Sequence, residues 1–193
     1  MNAIEHDLGE PVFLQGTSTG GSVVLQFAVD RPELVRRLVV VASAYRLGPW
    51  GREEQAEMAR LTREENGTEA WAYMLTGLLP APLRRPARPL SRVAARSMVA
   101  DDPSDMLVTL DAEDVFDVGA NLPRITAPTL VIGGTKDPFY PRELIEGTAA
   151  GVQDGRVHLF EGWGHMRTSG SGATTNLTLG FMLGGMPVRI ASP

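Results

Sequence analysis

Ser18 stands among small residues, in Gly16-Thr17-Ser18-Thr19-Gly20. The pattern is G-x-S-x-G. An apolar run, Pro11 to Gln15, precedes it and a longer one, Gly20 to Val29, follows. A serine at a sharp strand-to-helix turn can be held in a strained backbone conformation. Glycines two residues to either side remove side chains that would clash as strand and helix close on each other. The N-terminus of the following helix favours a developing oxyanion. These features suit a nucleophile; the alternative is a glycine-rich turn whose serine merely caps the helix.

A serine nucleophile needs a base, and the base needs an orienting acid. Two histidines follow Ser18. His158 sits inside the strand-like "RVHLFE" and reads as a structural histidine pointing into a packed layer. His165 sits in "GWGHM", read as a loop just past that strand. For the acid, Asp137 follows the strand-like "TLVIGG" by a few residues; its other reading is a turn residue before Pro138. Asp154 precedes the last strand, at the opposite end of the sheet, and no acid directly follows the apolar run Leu38 to Ala42. The candidates therefore occur in the order Ser, Asp, His, each past the carboxyl end of an expected strand.

The elements that must position them alternate. Unalternating apolar runs at Pro11 to Gln15, Leu38 to Ala42 and Thr129 to Ile132 suit parallel strands covered on both faces. "RVHLFE" gives a fourth. Helical stretches lie between them, which implies a parallel sheet with ligands beyond the strands' carboxyl ends. From Tyr45 to Asn121 the chain is charged, dotted with methionine and helix-prone. Three or four helices are expected there, with the proline-rich "LPAPLRRPARP" as a connector. "TTNLTLGFMLG" reads as a terminal helix.

With these stretches in place the chain resembles the α/β-hydrolase family in its form with a single helical cap. "VFLQGTSTGGSVVLQFAVDRPELVRRLVVVAS", "LPRITAPTLVIGGTKDPFYP" and "HLFEGWGHM" are similar to the family's fifth to eighth strands with the serine turn, acid loop and histidine loop. The resemblance implies a core from residues 1–44 and 122–193 with about four parallel strands and flanking helices, and a helical cap insertion over 45–121. It implies that Ser18 is the nucleophile, Asp137 the acid and His165 the base, with the Thr19 N–H as an oxyanion donor. Trp50, Trp71 and Met74 would line an apolar acyl pocket or form the cap's own core. Thr17 stands where many relatives have histidine. The resemblance also implies four further strands and a second oxyanion donor before the serine turn, whereas only ten residues precede Pro11. A truncated fold is therefore expected, with the Val12 strand as an open edge where self-association or an N-terminal fragment would pair.

Composition narrows the rest. The 193 residues suit one domain with a sizeable core, and 43% hydrophobic and 21% charged residues are ordinary for a soluble globular protein. A net charge of −5 argues against a nucleic-acid partner. The arginines at 84, 85, 88, 92 and 96 read as a solvated helix or loop face. Without cysteine there are no disulfides and no thiolate metal ligands, which fits a reducing cytoplasm. His6, His158 and His165 are too scattered to suggest a metal site. "MNAIEHDLGE" has neither a basic flank nor an apolar run, so no signal peptide is expected, and no membrane partner. The expected activity is cofactor-free serine hydrolysis of an ester or other acyl or carbon–carbon bond in a small molecule. Acyl transfer and haloperoxidase-like chemistry share the machinery. The alternatives are a non-catalytic ligand-binding protein, a decayed hydrolase fragment, or a soluble α/β domain with accidental matches.

Overall fold

The computed structural model describes residues 10–79 and 81–184. His6 and the rest of the leading segment lie outside the described residues. The chain forms two compact units, Met1–Gly48 with Phe116–Pro193, and Pro49–Val115.

The first unit carries a four-stranded parallel sheet in the order β1 (Val12–Thr17), β2 (Val35–Val41), β3 (Thr129–Gly134), β4 (Gly155–Phe160). β2 and β3 are the unalternating apolar runs, and every residue of β3 is buried. Helices on both faces explain this. On one side Val39, Val41, Leu130 and Ile132 pack with Leu177 and Phe181 of α8 (Gly172–Met182). On the other side lie α1 (Thr19–Asp30) and α6 (Arg142–Gly151); a side chain at Gly133 would meet Ile145 of α6, and one at Gly21 would crowd Val40. Successive strand residues point to opposite faces, so a strand covered twice must be apolar throughout. β2 begins at Val35, three residues before the expected start, because Val35 pairs with Val12 and only then do the apolar residues begin.

β1 and β4 are the edge strands among the described residues. On β1, Phe13 is exposed beneath the Arg36 guanidinium, which sits 5.2 Å from the ring centroid. β4 is half-buried along its whole length. The register pairs Thr17 with Val41, Val41 with Ile132 and Gly134 with Phe160. The carboxyl ends therefore lie along one rim, from which the segments after β1, β3 and β4 emerge.

The second unit contains α2 (Pro49–Arg63), α3 (Gly67–Gly77), α4 (Ala81–Ala95) and α5 (Ser104–Val115). Its core is Met58, Ala59, Ala70 and Leu110. This unit starts at Pro49 rather than Tyr45 and ends at Val115 rather than Asn121. The flanking residues are tied to the sheet unit: the Tyr45 N–H donates to Thr148 Oγ1 on α6 (3.0 Å), and Arg46 bridges Asp117. The proline-rich stretch is not a connector. It runs as α4, with Pro86 and Pro89 inside the helix. Each interior proline removes one helical hydrogen bond, but the helix is exposed around both, so water can serve the carbonyls left over. Among the described residues no helix is long and apolar enough to cross a membrane.

Candidate active site

Ser18 joins β1 to α1 with φ 54° and ψ −125°, a conformation rarely adopted by a residue with a side chain. Two backbone bonds hold it: its N–H donates to Val41 O (2.9 Å), and Gly21 N–H donates to Ser18 O (2.7 Å). The side chain makes no capping hydrogen bond to α1, which removes the helix-cap reading. Of the flanking glycines, only Gly16 is required by space. A Cβ there would run into the Gly20 carbonyl and lie 2.6 Å from Val24 Cγ2. At Gly20 an added Cβ meets nothing within 4 Å, so the expected clash at that position is absent. The close approach falls one residue later, where a Cβ on Gly21 would strike the Ser43 side chain. That second glycine, outside the motif, is what the motif reading missed. Thr19 is the first residue of α1, so its N–H has no acceptor within the helix.

Asp137 lies just past β3, 4% exposed. One carboxylate oxygen, Oδ1, accepts from the N–H groups of Phe139 (2.9 Å) and Tyr140 (3.2 Å). The other, Oδ2, lies 2.8 Å from His165 Nδ1. The Asp-Pro turn thus aims the carboxylate: the chain folds back through Pro138, and two amides fix one oxygen while the second faces the imidazole. A buried carboxylate needs this many donors.

His165 is not in a loop. It opens the short helix α7 (His165–Gly170), after Gly164 in extended backbone. Its Nε2 lies 3.0 Å from Ser18 Oγ. Phe139 packs against the ring at a centroid distance of 4.9 Å, tilted, and Tyr140 at 6.1 Å. The segment from β4 is drawn over the end of β3 by the Lys136 N–H bond to Trp163 O (2.8 Å). Gly134 is needed there, since a side chain would collide with the Trp163 carbonyl. Trp163 itself stacks on Phe160 at 4.0 Å and lies under Arg167 at 4.3 Å. These aromatic anchors, and Phe139 with Tyr140 beside the imidazole, were not legible as site residues, because their role is contact and not chemistry.

Ser18, His165 and Asp137 therefore form one hydrogen-bonded line. With Asp137 accepting at Nδ1, the neutral imidazole carries its proton there and leaves Nε2 free to accept from the Ser18 hydroxyl. His158 lies elsewhere. It is half-buried on β4, edge-on to Phe160 at 4.5 Å, and burial lowers its pKa. Asp154 precedes β4 at the opposite rim and pairs with Arg156 at 3.7 Å. Trp71 and Met74 pack against the helical unit's own core. Trp50, at the start of α2, lies under the Arg84 guanidinium at 5.4 Å.

Known proteins carry the same architecture. A family model described as "Serine aminopeptidase, S33" matches residues 2–169. The chain is 28% identical over 152 residues to a putative carbamate hydrolase, RutD, of Stutzerimonas stutzeri, covering 78% of this chain and 57% of the relative. It is 29% identical over 175 residues to a 2-hydroxy-6-oxononadienedioate/2-hydroxy-6-oxononatrienedioate hydrolase of Cupriavidus pinatubonensis, covering 81% of this chain and 56% of the relative. Among solved structures, an α/β-hydrolase enzyme from a Medee basin deep-sea metagenome library superposes with a TM-score of 0.75 at 18% identity, covering 98% of this chain and 71% of that one. The enol-lactonase of Burkholderia xenovorans gives 0.70 at 19% identity, covering 94% and 69%. The chain thus spans little more than half the length of these curated relatives. On the family match and the parallel sheet with its flanking helices, the chain belongs to the α/β-hydrolase family.

Proposed function

We propose that the chain carries the machinery of a serine hydrolase acting on an acyl bond of a small molecule. The observation that carries this reading is the continuous hydrogen-bonded line from Ser18 Oγ through His165 to Asp137, at 3.0 and 2.8 Å. A histidine within hydrogen-bond reach of a serine, oriented in turn by a buried carboxylate, is the arrangement that activates a hydroxyl.

In the first half-reaction His165 Nε2 takes the Ser18 proton as Oγ bonds to the substrate carbonyl carbon. The resulting imidazolium is stabilised by Asp137, which stays ionised. The Thr19 N–H is the proposed donor to the oxyanion, helped by the N-terminal dipole of α1. Collapse breaks the bond to the leaving group, which receives the proton from Nε2. Water then gives a proton to Nε2 as it attacks the acyl carbon, and collapse breaks the bond to Ser18 Oγ, which takes that proton back from Nε2 as the acid departs. Relatives named as a pyrrolizixenacetamide deacetylase and a pimeloyl-[acyl-carrier protein] methyl ester esterase support acyl chemistry. A homoserine O-acetyltransferase, 45% identical over 49 residues, keeps acyl transfer as a second outcome of the same serine chemistry. β1, an edge strand with exposed Phe13, is proposed as the place where another polypeptide would pair.

The test is covalent labelling with a fluorophosphonate, which requires an activated serine. The expected adduct is on Ser18, absent in Ser18→Ala and strongly reduced in His165→Ala. Labelling that persists in Ser18→Ala overturns the assignment. A well-folded chain that never labels favours a ligand-binding protein without turnover.

A further inference from the structure

The arginines of α4 do more than face solvent. With α2 and α3 they line a solvent-open pocket of about 190 Å³, formed by Glu54, Tyr73, Thr76, Arg84, Arg85 and Arg88. Its charge is unbalanced. Arg84 donates to the main-chain carbonyls of Leu79 (3.1 Å) and Gly77 (3.2 Å) and lies over the Trp50 ring, with the Glu54 carboxyl as the nearby negative charge. Arg88 shares the single carboxylate of Glu69 with Arg92. Arg85 is exposed and makes no hydrogen bond or ion pair with the described residues.

Against these cations stands one buried acid. Glu54 is 6% exposed, and its Oε2 has no hydrogen-bond partner. That oxygen rests against Gly77, where a side chain would leave no room for it: a Cβ would lie 2.5 Å away. A buried polar atom without a partner costs about 1–3 kcal/mol and calls for an explanation. Burial holds the Glu54 carboxyl above the usual carboxylate range. The neighbouring Glu53 and Glu57 act in the same direction; a hydrogen bond from the Tyr73 hydroxyl on α3 to the carboxyl group, and the charge of Arg84 on α4, oppose it.

We propose that this pocket in the helical unit binds a phosphate group, with Arg84, Arg85 and Arg88 taking its oxygens and Glu54 Oε2 sharing its proton. Arginine forks match phosphate oxygens in pairs. The unpartnered oxygen asks for a ligand that brings a hydrogen. A phosphate monoester, with a second pKa of about 6, still carries one on part of the population near neutrality. Sulfate brings no hydrogen to share with that oxygen.

The inference stands apart from Ser18 chemistry, and its test needs no turnover. Inorganic phosphate, phenyl phosphate and sulfate are titrated calorimetrically into the full chain at about pH 7 and low chloride. The expected result is one saturable phosphate site, with sulfate at least tenfold weaker; phenyl phosphate binding more tightly than inorganic phosphate marks a monoester as the ligand. Arg85→Gln and Arg88→Gln each weaken phosphate about tenfold or more, the loss of one charge-assisted bond; Arg85→Gln does so without moving Tm, whereas Arg88→Gln also gives up its ion pair with Glu69. Glu54→Gln offers an amide donor to either anion and abolishes the preference for phosphate over sulfate. The proposal is overturned by absence of saturable phosphate binding, or by equal affinity in wild type, Arg85→Gln and Arg88→Gln. Because Arg85 is exposed, its substitution leaves the fold intact and keeps the test decisive even if Glu54→Gln fails to fold.

Discussion

Replacing Asp137 by asparagine separates the acid's two tasks. Its Oδ1 holds the Phe139 and Tyr140 amides, and its Oδ2 faces His165 Nδ1. Asparagine keeps an acceptor for the amides but turns an NH₂ group toward the imidazole. A neutral His165 must then accept at Nδ1 and carry its proton on Nε2, where it cannot take one from Ser18. In a serine protease the corresponding change lowers kcat about 10⁴-fold, equivalent to about 5.4 kcal/mol at 1.36 kcal/mol per decade. The fold should survive, because both amides keep their partner. Asp137→Ala behaves differently: it removes the Oδ1 acceptor of two buried N–H groups, at about 1–3 kcal/mol each, a large part of a total stability of about 5–15 kcal/mol. Fluorophosphonate labelling rates and calorimetric melting, measured side by side, decide the matter. Asp137→Asn should melt within a few degrees of wild type and label thousands-fold more slowly, whereas Asp137→Ala should also melt far lower. An asparagine variant that labels within tenfold of wild type would refute the tautomer argument.

Other consequences are independent of it. Gly16→Ala forces a methyl group into the Gly20 carbonyl and should destabilise the turn by more than about 2 kcal/mol, read as a lowered Tm with lost labelling. Gly20→Ala meets open space inside α1 and should leave Tm unchanged or raise it, by up to about 1 kcal/mol in stability. His158 has a folded-state pKa below its ordinary 6.5 because burial disfavours the charged ring. The unfolded chain therefore binds more protons between the two values, and His158 costs stability as pH falls through 6.5. His158→Gln should flatten the decline of Tm between pH 7 and 5; an unchanged slope would place the cause in another group. Trp163→Ala removes the stack on Phe160 and the Arg167 contact and should slow labelling while leaving the melting transition cooperative.

The sheet was legible because its determinants are local. A strand covered on both faces must be apolar at every position, so β2 and β3 announce themselves in "LVVVA" and "TLVI". The order of candidate residues was legible for a related reason. Segments leaving the carboxyl ends of parallel strands share one rim, so Ser18, Asp137 and His165 meet although 147 residues separate the first from the last. What the sequence hid is set by tertiary contact. Two interior prolines argue against a helix on local grounds, yet α4 forms, held to α3 by Arg84 on the Gly77 carbonyl and by Arg88 and Arg92 on Glu69. Glycine-rich "GWGHM" reads as a loop, but the stack of Trp163 on Phe160 fixes the segment so that a helix starts at His165.

Gly16 and Gly20 look alike in the G-x-S-x-G pattern but answer to different physics. Gly16 is fixed by what crosses it: the first turn of α1 comes back over the end of β1, and no atom can stand between them. Gly20 has open space, so nothing in the backbone's packing demands it; Gly21 bears the contact with Ser43 instead. The short motif therefore mixes one steric requirement with one position that packing leaves open. The constraint specific to this turn is the backbone of Ser18 itself, at positive φ with no capping bond to relieve it. Such a conformation persists only where the surroundings over-determine it. Here they do so through Val41 O on one side and the Gly21 N–H on the other. Both partners belong to the sheet unit, so the geometry of the serine turn is built by β1, β2 and α1.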